Sequence, residues 1–281
     1  PLNPFLLGIL AGLMHLARVD GLLWLPVALL AVLFYPPKPG KNRYLSIVFF
    51  LLLTLTGYLI VMGPWFLRNY SVFGTPLSPG GSKMFWLTSY DQLFSYPASQ
   101  ITFTSWWQSG LKAIIRARVW SLGLNISNVI SVQGEIFLLP LAGIGFWQLR
   151  KDRRIQLAGL VWLITFLAMT LIFPFAGARG SFFHSGASVQ TVWWVLAPIG
   201  LERSISWVGR RRGWNIIQAG TFFRISIVAL AEVLTALIIF GRVVGWGEKT
   251  VPWNHEYDAY RQIQSVLLFH GMDDQAVVMV A

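Results

Sequence analysis

Two short constellations in this chain carry charge where the surrounding sequence is apolar. Arg68 and Asn69 follow Pro64-Trp65-Phe66-Leu67, at the end of an uncharged run from Tyr44 to Met62. Arg18 and Asp20 interrupt another apolar stretch in Ala17-Arg18-Val19-Asp20-Gly21. A guanidinium is a planar fork of donors that fits a phosphate through two parallel hydrogen bonds. Ionisable groups among apolar segments are costly, so they are candidates for function. Both sites also have plainer readings: Arg68 as a side chain reaching back to lipid headgroups, and Arg18 with Asp20 as a mutually neutralised turn pair. Tyr90 and Asp91 lie near Trp86, Phe94 and Tyr96. There the rings would offer apolar faces to a sugar and Asp91 would accept hydroxyl hydrogen bonds; the alternative is an aromatic belt beside a solvated carboxylate. Arg179 and His184, flanking Phe183, complete the set, with a structural histidine as the alternative.

Other chemistries leave no trace. The chain has no P-loop, dinucleotide glycine fingerprint or HExxH, and without cysteine it has no thiol chemistry or Cys-based metal site. No metal site is visible, and the cofactor is unknown from sequence. Asn69-Tyr70-Ser71 and Asn125-Ile126-Ser127 match the glycosylation acceptor pattern, which matters only in a glycosylating secretory pathway.

The elements that must position these residues follow from composition. The 281 residues are 55% hydrophobic and 12% charged, with 14 Trp and 20 Phe; soluble domains carry about 25% charge. Long continuous apolar runs exclude a transmembrane barrel, whose segments are short and alternating. The expected fold is all-α: a polytopic helical membrane protein with about six or seven spans. The net charge of +11 does not indicate nucleic acid. Eleven of the 22 basic residues cluster as Lys38, Lys41, Arg43, as Arg150, Lys151, Arg153, Arg154, and as Arg203, Arg210, Arg211, Arg212. Short basic connectors between spans mark the cytoplasmic side and need only lipid headgroups as partners.

With those connectors inside, Tyr44 to Leu67 runs outward, Ile136 to Leu149 inward around Pro140, Ile155 to Phe173 outward, Ser185 to Leu201 inward and Ile225 to Val244 outward. Leu2 to Leu16 and Leu22 to Tyr35 are two short helices or one pair with a polar turn. Arg68 to about Ile130 is outside; within it Leu111, Ile115, Val119 and Leu122 share a helical face, predicting an amphipathic helix in the outer interface. Glu232 sits mid-span and is expected to face a neighbouring helix. Residues 1–245 form the membrane core. Residues 246–281 begin an extracytoplasmic C-terminal domain, with Ala276 to Ala281 reading as a strand cut short. The chain starts at Pro1 without an initiator Met, which suggests an internal fragment.

The motif order has a family likeness. Gly8-Ile9-Leu10-Ala11-Gly12-Leu13, then Leu16-Ala17-Arg18-Val19-Asp20-Gly21 and an apolar run ending near Pro26, resembles GT-C membrane glycosyltransferases of the protein O-mannosyltransferase and aminoarabinose-transferase-like group. Pro64-Trp65 to Arg68-Asn69 with Phe73-Gly74-Thr75-Pro76 is similar to that group's helix-to-loop junction. Trp86-Leu87-Thr88-Ser89-Tyr90-Asp91 and Arg179 to His184 are similar to segments of bacterial members. The likeness runs from about Gly8 to Leu201 and rests on the order of the motifs. It implies transfer of a sugar from a polyprenyl-phosphate donor to a glycan, lipid or protein acceptor at the outer face of a bacterial plasma membrane. It further implies that cations such as Arg68, Arg18 or Arg179 hold the lipid phosphate. The catalytic base would be a carboxylate in a loop ahead of Pro1, so no catalytic residue is assigned within the chain. A transporter or lipid flippase is the alternative; it would use groups at the membrane midplane, where Glu232 and Pro140 are the candidates.

Overall fold

The computed structural model describes residues 3–35, 42–77, 83–94, 98–176, 182–241 and 257–272. Lys38, Lys41, Ser78 to Gly81, Tyr96, Arg179, the junction at Gly245 and the tail from Ala276 lie outside the described residues. The fold is helical, with no strand among the described residues. In chain order the helices are α1 (Pro4–Ala17), α2 (Trp24–Phe34), α3 (Arg43–Phe73), α4 (Phe103–Gln108), α5 (Leu111–Asn128), α6 (Leu138–Leu149), α7 (Arg153–Leu167), the single turn α8 (Pro174–Ala176), α9 (Phe182–Ala187), α10 (Gln190–Arg212), α11 (Ile216–Ile239) and α12 (Tyr257–Phe269). The chain divides into a larger unit, Pro1–Ser204, and a smaller one, Ile205–Ala281.

Among the described residues three helical segments are long and apolar enough to cross a membrane: Arg43–Phe73, Arg153–Ile172 and Ile216–Ile239. Leu111–Gln133 and Leu138–Leu149 would make a fourth span if taken together, but they meet at an angle of 89°. With 31 residues, α3 is roughly 46 Å long at 1.5 Å per residue. That exceeds a hydrocarbon core of about 30 Å and leaves room for polar ends at Arg43 and Arg68.

In the larger unit α1 lies against α3. Lipid tails are as apolar as leucine, so helices in a bilayer associate through close backbone approach and small residues. Gly8 and Gly12 supply this on α1 and Gly57 on α3. A Cβ on Gly8 would overlap the Thr54 carbonyl, and one on Gly57 the Phe5 carbonyl. Ala11, Ala28, Tyr58 and Met62 form the small core that results. The same device joins α6 to α10, where Gly145 meets the Leu196 carbonyl and Gly200 the Leu141 carbonyl.

Helix α5 presents the apolar face read from the sequence, and one connector differs from expectation. The face of α5 holding Leu111, Ile115, Val119 and Leu122 is exposed, and the buried face is Ile114, Ala117, Ser121 and Asn125. Asn125 Nδ2 donates to the Met169 carbonyl over 3.3 Å and to Thr170 Oγ1 over 3.0 Å, while Arg118 Nε donates to the Leu171 carbonyl over 3.3 Å. These acceptors belong to a π-helical turn, Ala168–Ile172, whose register slip frees carbonyls that an α-helix would use itself. The packing side of α5 is thus mixed, Ile114 and Ala117 beside Ser121 and Asn125, while the face of Leu111, Ile115, Val119 and Leu122 is exposed, as are Lys112 and Arg116. Glu202 to Arg212, expected as a connector, continues α10 instead; the arginines fall in its last turns, where cations oppose the negative helix end. In the smaller unit Glu232 on α11 is exposed.

Candidate functional site

The site is built on a break in the first apolar segment. Helix α1 stops at Arg18, whose backbone is extended at φ −151° and ψ 143°. A 3-10 turn, Val19–Leu23, then leads into α2. Gly21 allows the turn, because a Cβ there would overlap the Met14 carbonyl. The break turns two charged side chains toward each other. Arg18 Nε donates to Asp20 Oδ1 over 2.9 Å, and Ser185 Oγ of α9 donates to Asp20 Oδ2 over 2.6 Å. Asp20 is thus held through both oxygens and is 14% exposed, whereas Arg18 is 52% exposed. Only Nε of Arg18 is engaged. Its two terminal nitrogens have no hydrogen-bond partner among the described residues. An open guanidinium fork with its orientation fixed from behind suits a planar or tetrahedral oxyanion.

Arg18 and Asp20 line three cavities. The first, about 300 Å³, adds His15, Asn69 and the rings of Trp65, Phe66, Phe85 and Phe173. The second, about 290 Å³, adds Met84 and Met169. The third, about 110 Å³, adds Trp24, His184, Ser185 and Ser188. Mostly apolar walls with a few convergent polar groups are what small-molecule sites look like. In the first cavity His15 Nδ1 lies 2.6 Å from Tyr58 Oη, and both residues are buried. The Tyr58 phenol of α3 thus fixes the imidazole ring of α1 in place.

The sequence-derived candidates separate into groups. Arg18 and Asp20 share all three cavities, Asn69 joins them in the first and His184 in the third. Asn69 is 2% exposed and its Nδ2 donates to the Pro76 carbonyl over 3.2 Å, pinning the chain that leaves α3. Gly74, at φ +70°, makes that exit possible. Arg68 lines none of these cavities. Its Nη1 donates to Asn69 Oδ1 over 3.2 Å, and its guanidinium lies 5.0 Å from the Trp65 ring and 5.8 Å from Phe73. Arg68 is thus folded along its own helix end. Tyr90 and Asp91 are exposed and stand apart from the cavities, on a turn gathered by Gln92 Oε1, which accepts from Thr88 N over 2.7 Å and Ser89 N over 3.2 Å. Arg179 lies outside the described residues.

No protein-family model, curated protein or solved structure matches this chain.

The geometry therefore stands alone, and it adds residues that sequence reasoning passed over. Ser185 had no motif around it; only the fold brings it to Asp20. His15 carried a faint signal, one turn before Arg18 on an otherwise apolar helix. Gln133 carried none, yet it is 3% exposed in a π-helical turn, Val129–Gln133. Both glycosylation-like asparagines are buried, Asn69 at 2% and Asn125 at 0%, so neither side chain is open to modification in the folded chain. Among the described residues no group of three His, Cys, Asp or Glu could hold a metal ion.

Proposed function

We propose that the chain is the membrane core of a glycosyltransferase that takes a sugar from a polyprenyl-phosphate donor. One observation carries this reading: the terminal nitrogens of Arg18 stand without a partner among the described residues where aromatic-lined cavities meet. Arg18 would hold the lipid phosphate and stabilise its charge as the sugar leaves. Asp20 and Ser185 would aim the fork. With both oxygens occupied, Asp20 is a positioning residue and not the base. His15, Asn69 and the surrounding rings would line the space for the sugar or the first isoprene unit.

The resemblance of the motif order supplies the rest. In this reading six or seven segments cross a bacterial plasma membrane, the basic connectors face the cytoplasm and the C-terminal segment lies outside. The acceptor in this reading is a glycan, lipid or protein. A transporter or lipid flippase has less support, because Glu232 and Pro140, its two midplane candidates, are both exposed and line none of the cavities described above. The test is transfer from a polyprenyl-phosphate sugar by the full-length protein in lipid bilayers, comparing wild type with Arg18→Gln. Equal donor affinity and equal rate would remove the reading.

A further inference from the structure

A further cavity, of about 220 Å³, opens on the other side of the short helix α9. Ser185 of α9 reaches Asp20, whereas Phe183 and Ala187 of the same helix line this cavity together with Asn128, Gln133, Glu135 and Trp194. Gln190 also lines it. Gln133 is its informative member. Trp162 Nε1 lies 2.8 Å from the Gln133 side-chain oxygen. An indole nitrogen can only donate, so this contact fixes which end of the amide is oxygen. The nitrogen end, Nε2, is buried with no hydrogen-bond partner among the described residues. It lies against Gly186, where any Cβ would overlap it. A buried donor without an acceptor is costly in a folded protein and calls for an explanation.

The other groups complete a pattern. Gln190 Nε2 donates to the Gln133 carbonyl over 2.8 Å, which leaves Gln190 Oε1 as an acceptor. The Asn128 side chain has no partner among the described residues. Glu135 contributes a carboxylate, and Trp194, 55% exposed, contributes a ring face. No cation lines the cavity. Glu135 and Ile136 carry left-handed backbone, at φ +43° and +62°, which holds Glu135 at the bend beside Gln133. Amides able to donate and accept, one carboxylate, an aromatic face and no positive charge suit a neutral, hydroxyl-rich group and repel an anion.

We infer that this cavity binds a sugar ring, with Gln133 Nε2 donating to a hydroxyl oxygen, Glu135 accepting from a hydroxyl and Trp194 covering an apolar ring face. It is distinct from the Arg18 cavities and differs from them in charge. Its assignment to the acceptor of the transfer reaction rests on the transferase reading; the sugar binding does not.

The test uses full-length protein in nanodiscs, free of sugar-based detergent, and a panel of methyl hexopyranosides read by saturation-transfer NMR. At least one methyl glycoside gives a saturable signal with wild type. Gln133→Leu and Trp194→Ala each weaken it about fivefold, the loss expected for one neutral contact, and Trp147→Ala, an exposed ring that lines none of the cavities described above, leaves it unchanged. Because Gln133→Leu removes the partner of a Trp indole and could unfold the protein, Trp194→Ala, at a half-exposed position, serves as the second variant. Absence of any methyl glycoside signal with wild type, or an undiminished signal in Trp194→Ala, overturns the site. Saturable binding in a protein that never turns over a polyprenyl-phosphate sugar keeps the site and removes the acceptor assignment.

Discussion

Ser185 Oγ donates to Asp20 Oδ2 over 2.6 Å, across 165 residues of sequence. The bond ties the break after α1 to α9, and through Asp20 it sets the direction of Arg18. A charged acceptor makes this bond stronger than a neutral one.

Ser185→Ala should therefore lower stability by about 1.5–3 kcal/mol, the range for a hydrogen bond to a charged group. It should also lower donor affinity, by freeing Asp20 and with it Arg18. Thermal unfolding and donor titration measure the two effects. A variant as stable as wild type would show that Asp20 finds other partners.

Arg18→Gln removes the fork but keeps a side chain of similar reach. Transfer from a polyprenyl-phosphate sugar should fall about 10- to 100-fold, equivalent to one or two charge-assisted hydrogen bonds. Arg18→Lys should recover only part of this, since an ammonium cannot make the paired contact. Steady-state transfer by the full-length protein reads both.

Arg68→Ala should behave differently. Its guanidinium stacks on Trp65 and Phe73 and bonds to Asn69, so the substitution should loosen the exit from α3 by about 0.5–1 kcal/mol, as for an exposed cation–π contact. Donor affinity should change far less than in Arg18→Gln. An equal loss in the two variants would return Arg68 to the phosphate site.

Gly8→Ala adds a single methyl where it meets the Thr54 carbonyl. Helices α1 and α3 would have to separate, at about 1–3 kcal/mol. The melting temperature should fall although alanine is the better helix former. An unchanged melting temperature would mean that the pair has slack.

Asp152 caps α7, accepting from Arg154 N over 2.8 Å and pairing with Arg154 Nη2 over 2.9 Å. The Arg154 side chain holds its carboxyl below the usual range. A carboxyl with a lowered folded pKa stabilises above its unfolded pKa, and loses that contribution as pH falls through the folded one. The stability gap between wild type and Asp152→Ala should thus be present at neutral pH and shrink in acid, below the ordinary Asp value of about 3.9. Paired melts across that range test the sign.

Much of the architecture was legible in advance because its cause is local. The apolar run ending at Met62 has to be a long helix, and Arg153–Ile172 follows from the same reasoning. The interruption at Ala17 to Gly21 announced a polar break. The apolar face of α5 was legible too, Leu111, Ile115, Val119 and Leu122 being exposed together, but periodicity reports only that a face is apolar, not what the opposite face packs against. In a protein surrounded by lipid the apolar face can point outward while Asn125 and Arg118 pack inward.

The sequence by itself determined the helical class, the segments apolar enough to span a membrane and the candidates Arg18, Asp20, Arg68, Asn69, Tyr90, Asp91, Arg179 and His184, because burial preference and hydrophobic period are properties of neighbouring residues. Only the tertiary structure separated Arg18 from Arg68. One guanidinium is held from behind by a carboxylate that Ser185 anchors, with its fork left open; the other folds onto Trp65 and Phe73 of its own helix. Both arginines end apolar runs, so their local sequence is alike. Contacts between residues far apart in the chain decide which of them can receive a ligand.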